Sequence, residues 1–456
     1  MKGAIWTTAI LLAALTPGVN AAPGPAIPAF PGAEGAGAMA LGGRGGAVLR
    51  VTNLNDAGPG SLRAAVQTAG PRTIIFDIGG TIRLETPLTV RHGLVTIAGQ
   101  TAPGGGITLR GQPFRIHADD VVVRYIRARL GDENKVEADA FEITGGNRII
   151  VDHVSASWSV DESLSVGSTY KKVEDGPHDI TVQWSIISES LNQSLHAKGA
   201  HGYGSLLRGG LGSKMSFHHN LWAHHHARMP RPGNTVMPPR DEKGAFYEFR
   251  SNVFYNWGGK YSGYNADKGP KASFVHYDFI DNSYIAGPNS EGNVAFDEAN
   301  PRASLYFAGN SMNGAIPADP WSLVTGIEAT RRKIPLEMPR VAAEPAEASL
   351  HRVLQQAGAS RYRDPVDARV VASVLHRNGR QIDSQADIGG WPDLPAGTPW
   401  LDTDGDGMPD EWERRNRLDP QDPRDGALDR NDDGYTHLED WLASLAVTAN
   451  QNTGNP

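Results

Sequence analysis

The chain has 456 residues, a formal net charge of −8 and no cysteine, so disulfide bonds cannot stabilise it. Its 53 glycines and 31 prolines indicate many turns and exclude a protein built mainly from long helices. With more acidic than basic residues, we expect no nucleic-acid partner. A chain of this composition must be stabilised by a large core or by bound metal ions.

The N-terminal segment has the features of a secretory signal peptide, residues 1–21. Lys2 supplies the positive charge, residues 5–15 form a short apolar run, and residues 19–21 form a small-residue cleavage site. We therefore predict cleavage after Ala21 and a secreted or periplasmic protein. The apolar run is too short to span a bilayer, and the sequence contains no other candidate for a membrane span.

The central part of the chain carries repeated β-strand patterns. Four of them have an asparagine at an equivalent place, Asn220, Asn252, Asn282 and Asn310, at intervals of 32, 30 and 28 residues. A near-constant period without intervening helices is typical of a parallel β-helix, in which stacked asparagines form a hydrogen-bonded ladder. We predict this all-β fold for residues 22–335. A β-propeller, or a sandwich with chance spacing, is the alternative.

Helical patterns are confined to short segments. Ser61 is a suitable N-cap for one short helix that would cap the N-terminal end of the coil. Residues 336–396 include two stretches with helical apolar spacing, which we expect to pack on the outside of the β-helix. Residues 397–445 form an acidic tail, and residues 446–456 are predicted to be disordered.

The acidic tail contains two stretches with the spacing of EF-hand-like calcium loops. Each has glycine at position six, where the loop turns tightly. The predicted oxygen ligands are Asp402, Asp404, Asp406, Asp410 and Glu413 in the first loop and Asp429, Asn431, Asp433 and Asp440 in the second. We expect this Ca²⁺ to be structural. A docking module for a partner scaffold and a merely solvated acidic run are the alternatives.

One basic stretch, FHHNLWAHHHARMPR, ends by presenting two arginines. Its first half reads as a strand with Phe217, His219 and Leu221 on one face. A proline then prevents a regular ladder, so Arg228 and Arg231 are expected in a loop at a strand end. Two guanidinium groups at such a place suit a carboxylated or phosphorylated ligand, and the alternative is a pair of surface salt bridges.

Carboxylates precede this stretch on segments that read as successive strands. Glu137 and Asp139 are two residues apart and would point to one face, and Asp161 and Glu162 follow one coil later. Acids stacked about 5 Å apart would repel each other unless a cation lay between them. Solvated polar turns are the alternative. Lys198 follows the next strand.

Seven histidines lie between His196 and His226, a pattern that can also indicate zinc. Strand alternation would separate adjacent histidines, and the HExxH spacing of a zinc-binding helix is missing. We therefore expect most of these histidines to line a groove or to be structural.

Together these residues resemble the pectate lyases of polysaccharide lyase family 1. The similarity covers nearly the whole mature chain and rests, in order, on AFPGAEGAGA, GSLRAAV, IIFDIGG, TIAGQTAPGGG, VEADAFEI, the VDH of NRIIVDH and HHNLWAHHHARMPR. GQTAPGGG and SWSVDE look like the bacterial branch, which often carries an acidic calcium-loop tail. The resemblance implies a right-handed parallel β-helix that cleaves polygalacturonate by β-elimination with catalytic Ca²⁺.

The resemblance also implies a set of calcium ligands. By position, Glu137 and Asp139 match the first ligand pair and Glu162 matches the next acidic ligand. A further acidic ligand of the family would fall at Val166, which cannot bind a metal. Asp161 is the alternative on this coil.

For the reaction itself, Arg228 matches the arginine that removes the proton, and Arg231 matches a nearby substrate-binding arginine. Lys198 corresponds to a substrate-binding lysine, in a loop of different length. A third arginine of the family would fall at Gly233, which is a second departure from the pattern.

Two other function classes remain open from the sequence. One is a β-helix hydrolase of the polygalacturonase type, which needs a paired acid and base. The other is a non-catalytic glycan-binding β-helix, which would tolerate loss of Arg228. In each case we expect a monomer whose partner is a pectin oligosaccharide.

Overall fold

The computed structural model describes residues 27–168, 170–172, 175–326 and 329–451, with side chains described as far as residue 446. The predicted signal peptide and its cleavage site lie outside these residues. Within them the chain forms a solenoid of short strands, followed by two outer helices and a small helical tail.

The described strands, in chain order, are β1 (Ala47–Val51), β2 (Arg72–Phe76), β3 (Gly80–Arg83), β4 (Leu88–Val90), β5 (Val95–Ala98), β6 (Ile107–Arg110), β7 (Phe114–His117), β8 (Val121–Arg124), β9 (Ile126–Arg129), β10 (Phe141–Asp152), β11 (Ser155–Ser157), β12 (Leu164–Gly167), β13 (Pro177–Gln183), β14 (Ile186–Ser188), β15 (Leu206–Gly209), β16 (Lys214–His218), β17 (Leu221–Ala223), β18 (Arg231–Asn234), β19 (Ala245–Arg250), β20 (Val253–Tyr255), β21 (Gly259–Asn265), β22 (Val275–Ile280), β23 (Ser283–Ile285), β24 (Ser290–Glu298), β25 (Ala303–Ala308), β26 (Ser311–Met312), β27 (Val324–Thr325) and β28 (Thr330–Arg331). The described α-helices are α1 (Leu62–Gln67), α2 (Ala346–Gln356), α3 (Pro365–His376), α4 (Asp410–Arg415) and α5 (His437–Gln451).

These strands stack into three faces of one coil. The first face contains eleven strands in the order β1-β2-β5-β8-β10-β13-β16-β19-β22-β25-β28, and the second contains nine, from β3 to β26. On the third face, β4, β7, β10, β12, β15 and β18 pair in succession, and β21, β24 and β27 form a further small sheet. Each of the strand pairings is parallel, for example β16 with β19 and β15 with β18. The predicted parallel β-helix is therefore confirmed.

An asparagine ladder runs through the interior of the coil. The backbone N–H and the side-chain amide of Asn220 both donate to Oδ1 of Asn252, at 2.9 and 3.1 Å. Asn252 donates to Asn282 in the same way, and Asn282 to Asn310. All four side chains are buried. Each one bonds the backbone corner of the preceding coil, as Asn252 does by accepting the Asn220 N–H and donating to the Phe217 carbonyl, so the buried polar groups of the corners are satisfied. The intervals of 32, 30 and 28 residues therefore arise, as predicted, from one ladder asparagine on each successive coil.

Aromatic side chains stack beside this ladder along the same period. Phe217, Phe249, Phe279 and Phe307 occupy equivalent places on successive coils, with ring centroids 4.8 to 5.5 Å apart. Burying such rings contributes about 1.5–3 kcal/mol each. With no disulfide in the chain, this continuous core stabilises the coil.

The segment 217–222 is not one strand, so its predicted alternation is wrong. β16 ends at His218 and β17 begins at Leu221, and His219 between them has a left-handed backbone with φ of 55°. The corner resets the alternation: Phe217 and Trp222 both enter the main core, whereas Leu221 packs outward against the outer helices.

Helices close and flank the coil. The Ser61 side chain accepts the Ala64 N–H at the start of α1, whose Leu62 and Val66 pack into the N-terminal end of the core. Val353 of α2 and Val370 of α3 pack on the second face, in one apolar cluster with Leu221 and Val253. None of the described helices is long and apolar enough to cross a bilayer.

The tail packs against the first coils of the β-helix. Met408 and Trp441 form one apolar cluster with Ile75 and Ala98. Helix α5 continues to Gln451, past residue 446, where the sequence predicted disorder to begin. Residues 452–456 lie outside the described part of the chain.

Candidate active site

An open cleft of about 380 Å³ lies on the outer surface of the third face. Its lining includes side chains from three neighbouring coils, among them Asp139, Glu142, Asp161, Glu162 and Arg208. Parallel stacking brings these residues together although they span about 70 positions of sequence. The cleft therefore combines acidic groups with a guanidinium.

Three carboxylates form its centre, here called the acid group: Asp139, Asp161 and Glu162. One oxygen of each lies within 4.8 Å of the others. Asp139 is held from both sides, because the Glu162 N–H donates to its Oδ1 at 3.1 Å and the Ser165 hydroxyl donates to its Oδ2. Burial, together with the charges of Glu142 and Asp161, raises the pKa of Asp139 well above its usual range. Three crowded carboxylates of this kind fit a hard divalent cation.

Glu137 is not part of the acid group. Its carboxylate lies 3.2 Å from His196 Nε2 and accepts the Ala197 N–H at 2.9 Å. Glu137 and Asp139 lie in the loop before β10 and not on a strand, so the shared face predicted from their spacing does not form. Val166, the other position considered for an acidic ligand, is fully buried in the core.

The histidines nearest the acid group act on its carboxylates. His201 Nε2 lies 2.9 Å from Asp161 Oδ1, and the His196 ring stacks on His201 at 3.5 Å. His196 Nδ1 accepts the Lys198 N–H at 3.1 Å, so a neutral ring carries its proton on Nε2, the nitrogen that faces Glu137. To bind zinc through Nε2, His196 would need a free lone pair on that nitrogen, and the proton occupies it. This argues against zinc at His196, although ligand atoms of His196, His201 and Asp161 lie within 4.8 Å of one another.

Histidines further along the chain have structural partners. His224 bonds Ser373 at 2.7 Å and Asn256 at 2.8 Å, and His225 bonds Ser190 at 2.6 Å. Burial lowers the pKa of His224 to about 4 and that of His225 to about 3, so both stay neutral near pH 7. They fix the turn that leads to Arg228.

Arg228 lies where the coil returns toward the acid group. Its guanidinium forms an ion pair with Glu162 and stands 4.0 Å above the centre of the Tyr203 ring. Burial lowers the pKa of Arg228, the nearby Tyr264 acts in the opposite sense, and the charge of Arg231 lowers it further. A cation thus sits beside carboxylates with most of its surface shielded from water.

Two more arginines continue the basic side of the cleft and share one acid. The prediction that Arg231 lies in a loop is wrong, because the chain returns to the ladder directly after Pro230 and Arg231 begins β18, paired with Leu206. Arg231 lies 3.7 Å from Asp267 and above the ring of Tyr264. Arg208, on β15, lies 2.5 Å from Asp267 and donates to the Asn234 carbonyl at 2.9 Å. Two guanidiniums around one carboxylate leave a net positive charge.

Gly233 explains how Arg208 fits. The two residues face each other across β15 and β18, and a Cβ at position 233 would lie 2.1 Å from Arg208 Nη1. The guanidinium of Arg208 thus fills the space that a side chain at position 233 would need. The arginine missing at position 233 has a spatial counterpart on the preceding coil.

Lys198 lies in the exposed loop that precedes Tyr203. Its backbone N–H bonds His196, and its charge contributes to a lowered pKa of His201, for which burial is the main cause. The structure therefore puts Lys198 close to the acid group, on its solvent side.

The first tail loop, residues 402–413, is compact. Carboxylate oxygens of Asp402, Asp404 and Asp406 lie within 4.8 Å of one another, and Glu413 is fully buried. Burial raises the pKa of Asp406 to about 7 and that of Glu413 to about 8, with help from the neighbouring acids. Asp410 is turned elsewhere: it accepts from the Thr403 N–H and pairs with Arg414 at 3.0 Å.

The second tail loop, residues 429–440, is more open. The Asn431 amide donates to Asp433 at 2.9 Å, and Asp429 accepts the Gly434 N–H at 2.8 Å. Burial, with the charges of Asp433 and Asp429, raises the pKa of Asp440. Among the described residues, this loop brings no three carboxylates within 4.8 Å of one another, and its surface is mostly exposed.

Sequence reasoning missed three residues that line the cleft, Glu142, Ser165 and Arg208. It also missed the residues that contact the acid group or the arginines: His201, Tyr203, Tyr264 and Asp267. Stacking of the coils brings these residues together, and no short motif marks them. Period analysis could have found Arg208, because it precedes Gly233 by 25 residues, one short coil.

Searches against known proteins agree with this geometry. No family model matches the chain. A protein of Aspergillus fumigatus named "Probable pectate lyase C" is 38% identical over 431 residues, which is 92% of this chain and 94% of that protein. Its namesake from Aspergillus flavus is 38% identical over 437 residues, 93% and 95% of the two chains. The suggested bacterial branch stays a prediction.

A solved structure supports the fold. The crystal structure of jun a 1, the major allergen from cedar pollen, aligns with a TM-score of 0.52 at 18% identity, covering 72% of this chain and 92% of that one. At this identity the likeness concerns the fold alone. The two Aspergillus relatives are stronger evidence, because they are 38% identical to this chain over almost the whole length of both proteins. This chain therefore belongs to the pectate lyase family.

Proposed function

We propose that the chain cleaves polygalacturonate by calcium-assisted β-elimination, with Arg228 as the base. The observation that carries this proposal is the position of Arg228, shielded beside Glu162 at the edge of the acid group. The family membership supports the substrate class, and the acid group supports a divalent cation.

The base must remove the proton from C5 of a galacturonate. As that C–H bond breaks, its electron pair forms the C4–C5 double bond, the C4–O bond breaks, and the leaving oxygen takes up a proton. Arginine is normally protonated, so it can act as a base only where its neutral form is accessible. Burial lowers the pKa of Arg228 although Tyr264 and Asp161 act in the opposite sense, which supports this role.

Asp139, Asp161 and Glu162 are the residues that would hold the Ca²⁺. The ion would neutralise the C6 carboxylate of the substrate and stabilise negative charge that develops on proton loss. Ser165 and His201 orient Asp139 and Asp161, respectively, so that their oxygens converge. Glu137 belongs to this set only through its contact with His196, so we give it a supporting role.

The basic side of the cleft would bind carboxylates of the polymer. Arg231 and Arg208 present guanidiniums held by Asp267, and a guanidinium binds a carboxylate in a planar, two-bond geometry. Lys198 would add an exposed positive charge at the solvent edge. We assign Arg208 the role of the arginine that is missing at position 233.

The tail would bind further Ca²⁺ with a structural role, through ligands in its two loops other than Asp410, whose carboxylate is bonded to Thr403 and Arg414. We also propose that the enzyme is exported through its signal peptide to the cell exterior or the periplasm and acts as a monomer.

Incubation with polygalacturonate tests the proposal. Elimination gives an unsaturated product that absorbs ultraviolet light, whereas hydrolysis gives no such product. The ultraviolet absorbance should therefore increase with time in the presence of Ca²⁺, and the increase should stop when Ca²⁺ is chelated. Reducing ends that appear without absorbance would instead support a hydrolase. Binding without any cleavage would support a non-catalytic glycan-binding protein.

A further inference from the structure

Outside the cleft, the tail contains buried carboxylate oxygens that lack hydrogen-bond partners. Five of them belong to four residues: Asp404 Oδ2, Asp406 Oδ2, both Oε atoms of Glu413, and Asp425 Oδ1. Glu413 and Asp425 are 0% exposed. Oxygens of Asp406, Glu413 and Asp425 lie within 4.8 Å of one another. Buried anions without partners are costly, so this arrangement points to a cation-binding site.

The other oxygens of the aspartates hold them in this orientation. Asp404 Oδ1 accepts the Asp406 N–H at 3.2 Å, and Asp406 Oδ1 accepts the Met408 N–H at 2.8 Å. Asp425 Oδ2 accepts the Asp419 N–H at 3.1 Å. Each aspartate thus gives one oxygen to the backbone and keeps the other free, so the site is preorganised.

We propose that Asp425, which lies outside both predicted loops, completes a cage with Asp404, Asp406 and Glu413 that binds one Ca²⁺ and fastens the tail to the β-helix. Asp425 takes the place expected of Asp410, whose carboxylate is occupied by Thr403. The inference extends the calcium loops of the proposed function and does not depend on lyase activity.

The chemistry of the cage favours calcium. Four carboxylates offer only hard oxygen donors, and Ca²⁺ accepts six to eight such ligands in flexible geometry. Mg²⁺ requires a smaller octahedral site and retains water, and zinc prefers nitrogen or sulfur ligands.

Gly426 indicates that the approach of Asp425 to the loop is specific. A Cβ at position 426 would lie 2.3 Å from Asp406 Oδ2, one of the free oxygens. Any larger residue there would push a cage ligand away. Glycine at this position is therefore a packing requirement of the cage.

The cage is linked to the first coils of the β-helix. Asp402 forms an ion pair with Arg50 of β1, and Arg50 also binds Asp77 at 2.7 Å. A Cβ at Gly407, inside the first loop, would already lie 3.0 Å from Val48 of β1. An ion in the cage would therefore stabilise the contact between the tail and the β-helix.

The second loop is not equivalent. Of its four predicted ligands, Asp429 alone contributes a buried oxygen without a hydrogen-bond partner, within the described residues. We therefore expect the cage to retain its ion under conditions in which the second loop loses it.

Calcium counting on the full chain tests the cage. The protein is passed into calcium-free buffer and the retained metal is measured by mass spectrometry, alongside melting curves with and without Ca²⁺. Asp425→Asn, which keeps size but removes a charge, should retain one ion fewer per chain than the wild type. It should also lose most of the calcium-dependent rise in melting temperature.

Matched variants separate this result from a general loss of acidity. Asp422→Asn, three residues earlier and paired with Arg424, should retain the ion, as should Asp433→Asn and Asp139→Asn. If Asp425→Asn does not fold, Gly426→Ala is the test variant. It keeps every carboxylate but displaces Asp406, so it should also lose the ion. Retention of the ion by Asp425→Asn or Gly426→Ala, or its loss from Asp422→Asn or Asp433→Asn, would overturn the cage. An inactive wild-type enzyme that retains its ion would contradict only the proposed function.

Discussion

The cleft and the tail each contain a cluster of carboxylates, but the two clusters differ in the partners that the protein provides. In the cleft, Asp139 accepts a hydroxyl and a backbone N–H, Asp161 contacts His201, and Glu162 pairs with Arg228. In the tail, Glu413 and Asp425 are buried with free oxygens. Each carboxylate of the acid group therefore has a polar or charged partner within the protein, which suits a site that exchanges ions and substrate. In the tail, buried carboxylate oxygens without partners are costly, which suits a permanent structural ion.

The largest expected effect concerns the cleft arginine. Arg228→Ala and Arg228→Lys should each lower kcat by about a hundredfold or more, since a displacement of about 1 Å can cost that much at a reacting atom. KM should change little, because binding rests on other residues. Steady-state kinetics on polygalacturonate at saturating Ca²⁺ measure both. Arg91→Lys, at an exposed arginine outside the cleft, is the control. A near-normal kcat with raised KM in Arg228→Lys would make Arg228 a binding residue.

A reciprocal pair of variants tests the difference between the two regions. Asp139→Asn removes one unit of ligand charge from the cleft and should raise the Ca²⁺ needed for half-maximal activity by about tenfold. It should leave the tightly held ion in place. Asp425→Asn should do the opposite: it should release that ion and leave the calcium dependence of activity unchanged. If both variants changed both properties, the two sites would be coupled and the comparison would fail.

A smaller effect is expected for the substrate-binding arginine. Arg208→Gln should raise KM by about tenfold, the value of one charge-assisted interaction of about 1.5 kcal/mol, with little change in kcat. Gly233→Ala is the matched variant, because it keeps the charge and displaces the guanidinium of Arg208. We expect the same direction in both. Unchanged KM in both variants would remove Arg208 from the substrate site.

Acid should act on the β-helix through its buried histidines. The pKa of His224 is lowered to about 4 and that of His225 to about 3, whereas an unfolded histidine titrates near 6.5. Their stabilising contribution is therefore fully present above pH 6.5 and is lost as pH falls through the folded values. The melting temperature should drop by several degrees between pH 6.5 and 4, and less steeply in His224→Asn. His351→Asn, at an exposed histidine, should follow the wild type. Parallel slopes for all three proteins would show that folding does not lower the pKa of His224.

The fold was predictable because its cause is periodic. The four ladder asparagines mark the coils in the sequence, and the structure confirms each bond between them. What failed is local. The left-handed corner at His219 resets strand alternation, and Glu137 lies in a loop, where a two-residue spacing does not define a face.

The sites were only partly predictable because stacking, not sequence spacing, assembles them. Arg228 stands in a recognisable motif, whereas Arg208 comes from the preceding coil and is marked only by its place one coil before Gly233. The tail shows the same limit. The twelve-residue loop pattern identifies Asp404, Asp406 and Glu413. It also assigns Asp410 as a ligand, although that carboxylate bonds Thr403. It misses Asp425, which packing places beside the oxygens of Asp406 and Glu413.

The most direct test of elimination is a digestion of polygalacturonate in ¹⁸O-labelled water, with products analysed by mass spectrometry. Elimination consumes no water, so the products formed at the cut should be unsaturated, lighter by one water than saturated oligomers of equal length, and free of ¹⁸O beyond carbonyl exchange at reducing ends. Arg228→Lys should give almost none of these products. Saturated fragments with one ¹⁸O incorporated per cut, at a rate that survives Arg228→Lys, would mean hydrolysis and would contradict the mechanism derived from the cleft.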